Sequence, residues 1–295
     1  VNWRDFLLLA LCCAVWGLNL PLTRVVVLDV PPIFTAAVRF AGIALCLLPF
    51  LRPFPRQFWL VAAIAMCIGG LHFTLLFLGL ASAPASAVAI VGQLGLPMVT
   101  ILSIIFLGET VRWRRITGMS LAFLGVVVIL YDPDTFGVEA GLLFIVASAL
   151  VGSIGSILMK RLDPVPALHL QAWVGLLSVP PLLAASAFME SGQVAALIEG
   201  GWFVWGAIAF SVVVVSIFGH SVYYQLLKRH EVTLLAPLTL MTPICAVLIG
   251  VVALGEPVTV QLLLGGAMTL AGVALVALRE NKSLPPTAVA GGKSS

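Results

Sequence analysis

The chain has 295 residues, of which 61% are hydrophobic and 9% charged. A soluble domain carries about half and about a quarter respectively, so too little polar surface exists here to cover a water-soluble sphere. The formal net charge of +3 makes no case for a nucleic-acid partner, and the informative quantity is where the charges lie.

A helix crossing a bilayer needs about 20 mostly apolar residues. Charges and Pro/Gly clusters break the chain into ten such segments, which read as helices over Phe6–Val27, Pro32–Leu51, Phe58–Leu80, Ala85–Leu107, Ile116–Tyr131, Ala140–Leu158, Ala167–Phe188, Phe203–Leu227, Thr233–Leu254 and Val258–Leu278. Inside lipid each segment must satisfy its own backbone, and the apolar runs are twice the length of a barrel strand. The first run lacks a small-x-small cleavage site and carries Trp16, Asn19 and Pro21, so it is expected to be a retained helix. Residues 281–295 are polar and Pro/Gly-rich, a composition expected of a disordered tail. Cys12, Cys13, Cys46, Cys67 and Cys245 all sit in apolar runs. They are expected to be small buried residues, with neither a disulfide framework nor a metal site, and no cofactor is implied.

Assigning the gaps alternately to two sides puts thirteen Lys and Arg on one side and Arg24 alone on the other, with Arg39 inside the second helix. That asymmetry places both termini in the cytoplasm and fits an even helix number. The expected location is a bacterial inner membrane.

The stretch "LGET" at Leu107–Thr110 returns as "LGEP" at Leu254–Pro257, 147 positions later. At the same offset Gly118 falls on Gly265, Gly125 on Gly272 and Val126 on Val273. Pro97 and Pro243 align with a one-residue slip, and Pro32 and Pro166 open the second helix of each half, followed at equal distance by Arg39 and Trp173. The pattern reads as a duplication of a five-helix block, residues 1–135 and 136–280. Five is odd, so the second copy must insert upside down. Inverted repeats of this kind underlie alternating-access transport. The expected fold is all-α and integral to the membrane: ten transmembrane helices in two inverted five-helix repeats around a central cavity.

Two five-helix halves, each with an "L-G-E-x" turn followed by a glycine-stepped helix, resemble the EamA-type branch of the drug/metabolite transporter superfamily. The resemblance covers about Trp3 to Arg279 and is similar to that branch's bacterial amino-acid exporters. It implies a basket-like bundle whose cavity is lined by helices one, three, four, six, eight and nine.

Gly108, Glu109, Gly255 and Glu256 are read as structural helix-junction residues. A glutamate there complements the positive N-terminal end of the helix that follows it. Cavity candidates are polar or aromatic groups deep in helices, where such residues are costly without a purpose. They are Trp16 and Asn19 in helix one, His72 in helix three, Gln93 in helix four, and Ser153 and Ser156 in helix six. His220 and Tyr224 in helix eight and Thr242 in helix nine complete the set. Most have a structural alternative: an interhelical hydrogen bond for the histidines and Asn19, packing or an interfacial place for Trp16, and a small-residue helix face for Ser153 and Ser156. Pro21, Pro97, Pro237 and Pro243 are hinge candidates. Arg39 reads first as a side chain snorkelling outward or pairing with a helix-end carbonyl, and second as a contact for a substrate carboxylate.

All twelve Asp and Glu lie at helix ends, in loops or in the tail. A coupled pump usually keeps such a group at mid-depth, so facilitated export of amino acids or related small metabolites is expected, through the lipid bilayer and with no enzymatic step. A proton-coupled exporter of drugs or other metabolites is the alternative, and a channel or lipid scramblase a distant one. Nothing in the pattern speaks to oligomeric state.

Overall fold

The computed structural model describes residues 2–108, 111–132, 137–230, 235 and 238–278. The described residues are helical apart from connections and a two-residue antiparallel ladder that pairs Tyr131 with Val138 and Asp132 with Gly137. Eight helices are long and apolar enough to cross a membrane: α1 (Trp3–Asp29), α3 (Phe58–Ser82), α4 (Ala85–Leu107), α5 (Trp113–Leu130), α6 (Ala140–Met159), α7 (Ala167–Met189), α8 (Gly201–Leu226) and α10 (Val260–Ala277). Two apolar helices are shorter, α2 (Pro32–Cys46) and α9 (Met241–Leu254). Each of these helices overlaps one of the ten expected segments, eight of them long enough to cross a membrane.

The differences lie at the ends. The second segment stops as an α-helix at Cys46 and continues as a single 3₁₀ turn over Leu48–Leu51, because Pro49 has no N–H for an α-helical bond. A short surface helix, Gln193–Glu199, precedes α8 where a loop was expected. The expected start of helix nine at Thr233, Glu109 and Pro237 lie outside the described residues, as does the expected tail.

Packing follows the glycines. A Cβ on Gly118 of α5 would come within 2.9 Å of the Gly272 carbonyl, and one on Gly125 within 2.6 Å of the Gly265 carbonyl. The reciprocal contacts from Gly265 and Gly272 are 2.5 Å. Gly118 therefore meets Gly272 and Gly125 meets Gly265, so α5 and α10 run antiparallel with their backbones in contact. Thr269 sits at the crossing, its hydroxyl directed to the Ala122 carbonyl at 3.5 Å. The glycine-stepped helices thus pack on each other. Elsewhere α2 packs on α7, α1 on α9, and α6 on both α3 and α4.

The large side chains on the outside include Trp59 at 83%, Phe188 at 91% and Trp202 at 93% exposure. All three lie near helix ends, where aromatic residues sit at a membrane's interfaces. Cys12 and Cys13 are buried, Cys67 and Cys245 partly so, but Cys46 is exposed. It stands on the last turn of α2, which corrects the expectation for that cysteine.

Candidate substrate cavity

The repeated turns have one geometry. Gly108 ends α4 with φ +66° and Gly255 ends α9 with φ +65°, a left-handed cap that glycine adopts without a Cβ penalty. Their N–H groups bond the carbonyls of Ser103 and Gly250, five residues back in each case. Glu256 departs from the expected role, because its carboxylate does not serve the helix that follows it. Its Oε1 accepts from the Ala85 N–H at 2.6 Å and its Oε2 from the Ser86 N–H at 2.8 Å. It therefore caps α4, in the other half of the chain. Arg24 lies beside it, Nε to Oε1 at 3.6 Å, and also donates to the Leu80 and Ala83 carbonyls at the end of α3. α10 has its own N-cap, the Thr259 hydroxyl accepting from the Leu262 N–H at 3.1 Å. Glu190 repeats the device at the start of α2, accepting from the N–H groups of Ile33 at 2.7 Å and Phe34 at 2.9 Å. Helices opening on proline have no side chain of their own to cap them, and a distant carboxylate takes that place.

A second pairing was not visible in the sequence. α3 contains a π-helical stretch over Ala65–Leu71, directly before His72, and α8 contains one over Phe210–Gly219, directly before His220. Such widened turns redirect carbonyls and side chains. In α8 the Val215 carbonyl accepts from Trp16 Nε1 at 3.3 Å, and the Ser216 carbonyl from Gln171 Nε2 at 3.1 Å. His220 Nδ1 lies 3.2 and 3.0 Å from these same two oxygens. With only carbonyls as partners, Nδ1 carries the proton. His72 Nδ1 bonds instead to Ser148 of α6, 2.9 Å from its carbonyl, and the Ser148 hydroxyl returns a bond to the His72 carbonyl at 2.9 Å. The equivalent histidines thus do different work: His72 fastens two helices together, while His220 bonds to its own helix.

Between α2, α3, α7 and α8 lies a cavity of about 160 Å³, touched by Met159 at the end of α6. Its walls are apolar, with Phe40, Ile43, Ile68 and Leu170 among them, and its polar groups are Arg39, Gln171, Ser216, His220 and Tyr224. Among the described residues no Asp or Glu lines it. Arg39 stands at its deep end, 5% exposed. Its Nη2 donates to the Ser216 hydroxyl at 3.1 Å, and its guanidinium carbon lies 4.8 Å from the centre of the Phe73 ring. Its buried Nε has no partner. Beyond Arg39 is a much smaller void of about 10 Å³ lined by Thr23, Thr35, Phe77, Ile208 and Ser211. Arg39 is the residue common to both. Snorkelling is thus overturned: α2 is covered at this depth by α3, α7 and α8, which leave the side chain no way to a helix end.

Of the expected cavity residues, His220 and Tyr224 line this space. Trp16 stands behind them, its ring 5.5 Å from His220 and 5.4 Å from Tyr223. Asn19 Oδ1 accepts from the Ser211 hydroxyl at 2.5 Å, tying α1 to α8. His72 adjoins the wall through Phe73, 5.1 Å away. The others lie elsewhere. Gln93 bonds back to Ala89 from a 3₁₀ turn at Gly92–Leu94. The Ser153 hydroxyl donates to the carbonyls of Gly95 and Ala149, and that of Ser156 to Gly152, so this face of α6 is a packing face. The Thr242 carbonyl crowds Gly17, where a Cβ would come within 2.9 Å, so Thr242 marks the α1–α9 crossing. Pro21 lies within an unbroken α1. Pro97 follows the 3₁₀ turn at Gly92–Leu94 inside α4, and Pro243 is the third residue of the stretch Met241–Leu254.

The described lining also departs from what the resemblance implies, since helices two and seven supply much of it while the described residues of one, four and nine do not reach it. Gln171, Ser216 and the depth of Arg39 were missed. The available signal was that Arg39 is the one cation far from any segment end. Its counterpart in the other half is Trp173, which bonds Leu51 O at 3.2 Å, so the repeat itself points away from an arginine site.

A bundle of apolar helices around an internal cavity with a buried cation is a multi-pass membrane protein of the transporter type. The chain belongs to the EamA-like transporter family, whose profile matches residues 4–131 and again residues 139–278. A Salmonella typhimurium protein named a probable amino-acid metabolite efflux pump is 26% identical over 280 residues, covering 92% of this chain and 93% of its own. Its namesake from Escherichia coli is 24% identical over 279 residues, with the same coverage. An uncharacterized transporter from Archaeoglobus fulgidus is 27% identical over 280 residues, covering 92% and 98%. A crystal structure with 21% identity superposes over 94% of this chain and 98% of its own with a TM-score of 0.64, a likeness of fold.

Proposed function

We propose that the protein exports amino acids or related small metabolites by alternating access between two inverted five-helix repeats. The observation that carries this reading is the position of Arg39 between a cavity of about 160 Å³ and a void of about 10 Å³. A site accessible from one half of the bundle and closed towards the other is what alternating access requires. The positive-inside rule makes the wide half cytoplasmic, the side from which an exporter loads. The antiparallel α5–α10 contact and the two-fold family match, 4–131 and 139–278, support the inverted repeat. Ten crossings with both termini in the cytoplasm complete the topology.

A cavity of this size is below the range of about 300–1,000 Å³ usual for drug-sized ligands, which favours small metabolites. The efflux-pump names of two relatives agree. With no carboxylate among the described lining residues, movement down the substrate gradient is favoured over ion coupling. Proteoliposomes preloaded with unlabelled neutral amino acids should take up labelled ones by exchange at equal pH on both sides. Flux that appears only under an imposed proton gradient would replace uniport with proton coupling.

A further inference from the structure

We propose that Arg39 is the anchor for the substrate's negative charge, so that the cavity takes small monocarboxylates with an apolar body, α-amino acids with aliphatic side chains among them. This rests on the cavity being the transport site. The guanidinium has five N–H donors in a planar fork. One Nη2 bond goes to Ser216, Nε has no partner, and the Phe73 ring covers one face. Among the described residues no carboxylate pairs with it. A buried cation with one neutral acceptor and an aromatic face is poorly compensated. The missing partner is a planar, two-oxygen, singly charged group, which the fork binds bidentately.

The rest of the cavity limits what can carry that group. Phe40, Ile43, Ile68 and Leu170 accept an aliphatic body. Gln171, Tyr224 and His220 are hydrogen-bonding groups that tolerate an ammonium without requiring one. A dianion would lack a second cation, since among the described residues Arg39 is the only Lys or Arg in the lining. An amine lacking a carboxylate would meet a cation with nothing to offset it. The selectivity is therefore for one negative charge, with the amino group optional.

The test uses the full-length protein in proteoliposomes loaded with labelled L-leucine, with external L-leucine, 4-methylpentanoate, leucinamide or isopentylamine driving exchange. The two acids should drive efflux, and the amide and amine should not. Arg39→Gln should lower leucine exchange by about 100-fold or more, while Arg39→Lys, keeping the charge but not the fork, should retain part of it. Thermal melting of each purified variant, with and without 4-methylpentanoate, separates misfolding from lost recognition. A folded Arg39→Gln that the acid no longer stabilises supports the anchor. If the wild type exchanges leucine and Arg39→Gln does so equally, the anchor is wrong while the transport reading stands. If wild type moves the amide or amine as readily as the acids, the charge selectivity is wrong. If no probe moves and none stabilises the protein, both readings fall.

Discussion

Replacing Glu256 by glutamine removes a charge and almost no volume, and its cost can be worked from the contacts. The carboxylate accepts from the Ala85 and Ser86 N–H groups at 2.6 and 2.8 Å and lies beside Arg24, and Glu256 is 8% exposed. A glutamine can keep one of the two bonds, and its NH₂ then faces the other N–H, donor against donor. A hydrogen bond to a charged group contributes about 1.5–3 kcal/mol, and Arg24 also loses its anionic neighbour in a half-buried setting. The expected loss is about 2–4 kcal/mol, or ~4–8 °C in melting midpoint at the ~2 °C per kcal/mol of a large chain. The neutral cap Thr259→Ala should cost about 1 kcal/mol and serves as the internal scale. Arg24→Gln should lose stability too, and the double variant less than the sum of the two. Melting in detergent, followed by intrinsic tryptophan fluorescence, reads all four. If Glu256→Gln melts with the wild type, or costs no more than Thr259→Ala, the cross-repeat cap is not what holds the end of α4.

Gly272→Ala puts a Cβ 2.5 Å from the Ala122 nitrogen and the Gly118 carbonyl. Neither atom can rotate aside, so ~1–3 kcal/mol of overpacking should outweigh the roughly 1 kcal/mol gain in helix propensity. A melting midpoint at or above wild type would show that α5 and α10 are not in backbone contact. Cysteines at Arg112 and Val258, in a background lacking the five native ones, should behave oppositely in intact cells. An impermeant maleimide should label only the Val258→Cys protein, and equal labelling would rule out the inverted insertion. Ser148→Ala should lower stability by about 1–2 kcal/mol, because the His72 imidazole and backbone lose one shared partner, without changing the concentration at which leucine exchange half-saturates. Tyr224→Leu should raise that concentration with little effect on melting, and the opposite pattern would move the cavity away from α8.

The membrane class, the apolar helices and the family, matched over both halves, were legible in one dimension. Hydropathy, charge placement and glycine spacing are set residue by residue, and a lipid environment leaves the backbone little choice but helix. The left-handed turns at Gly108 and Gly255 were legible for the same reason, since glycine records a local backbone requirement. The partners of polar groups were not. Glu256 precedes α10 in sequence but caps α4 in space, and its cation, Arg24, comes from the first helix. Arg39 looked able to reach a helix end until α3, α7 and α8 closed over it. The π turns before His72 and His220 carry no residue signature of their own. Sequence sets what each helix is, because that depends on its own side chains and the solvent. The cavity is a property of gaps between four helices, and only their packing decides which side chains face it.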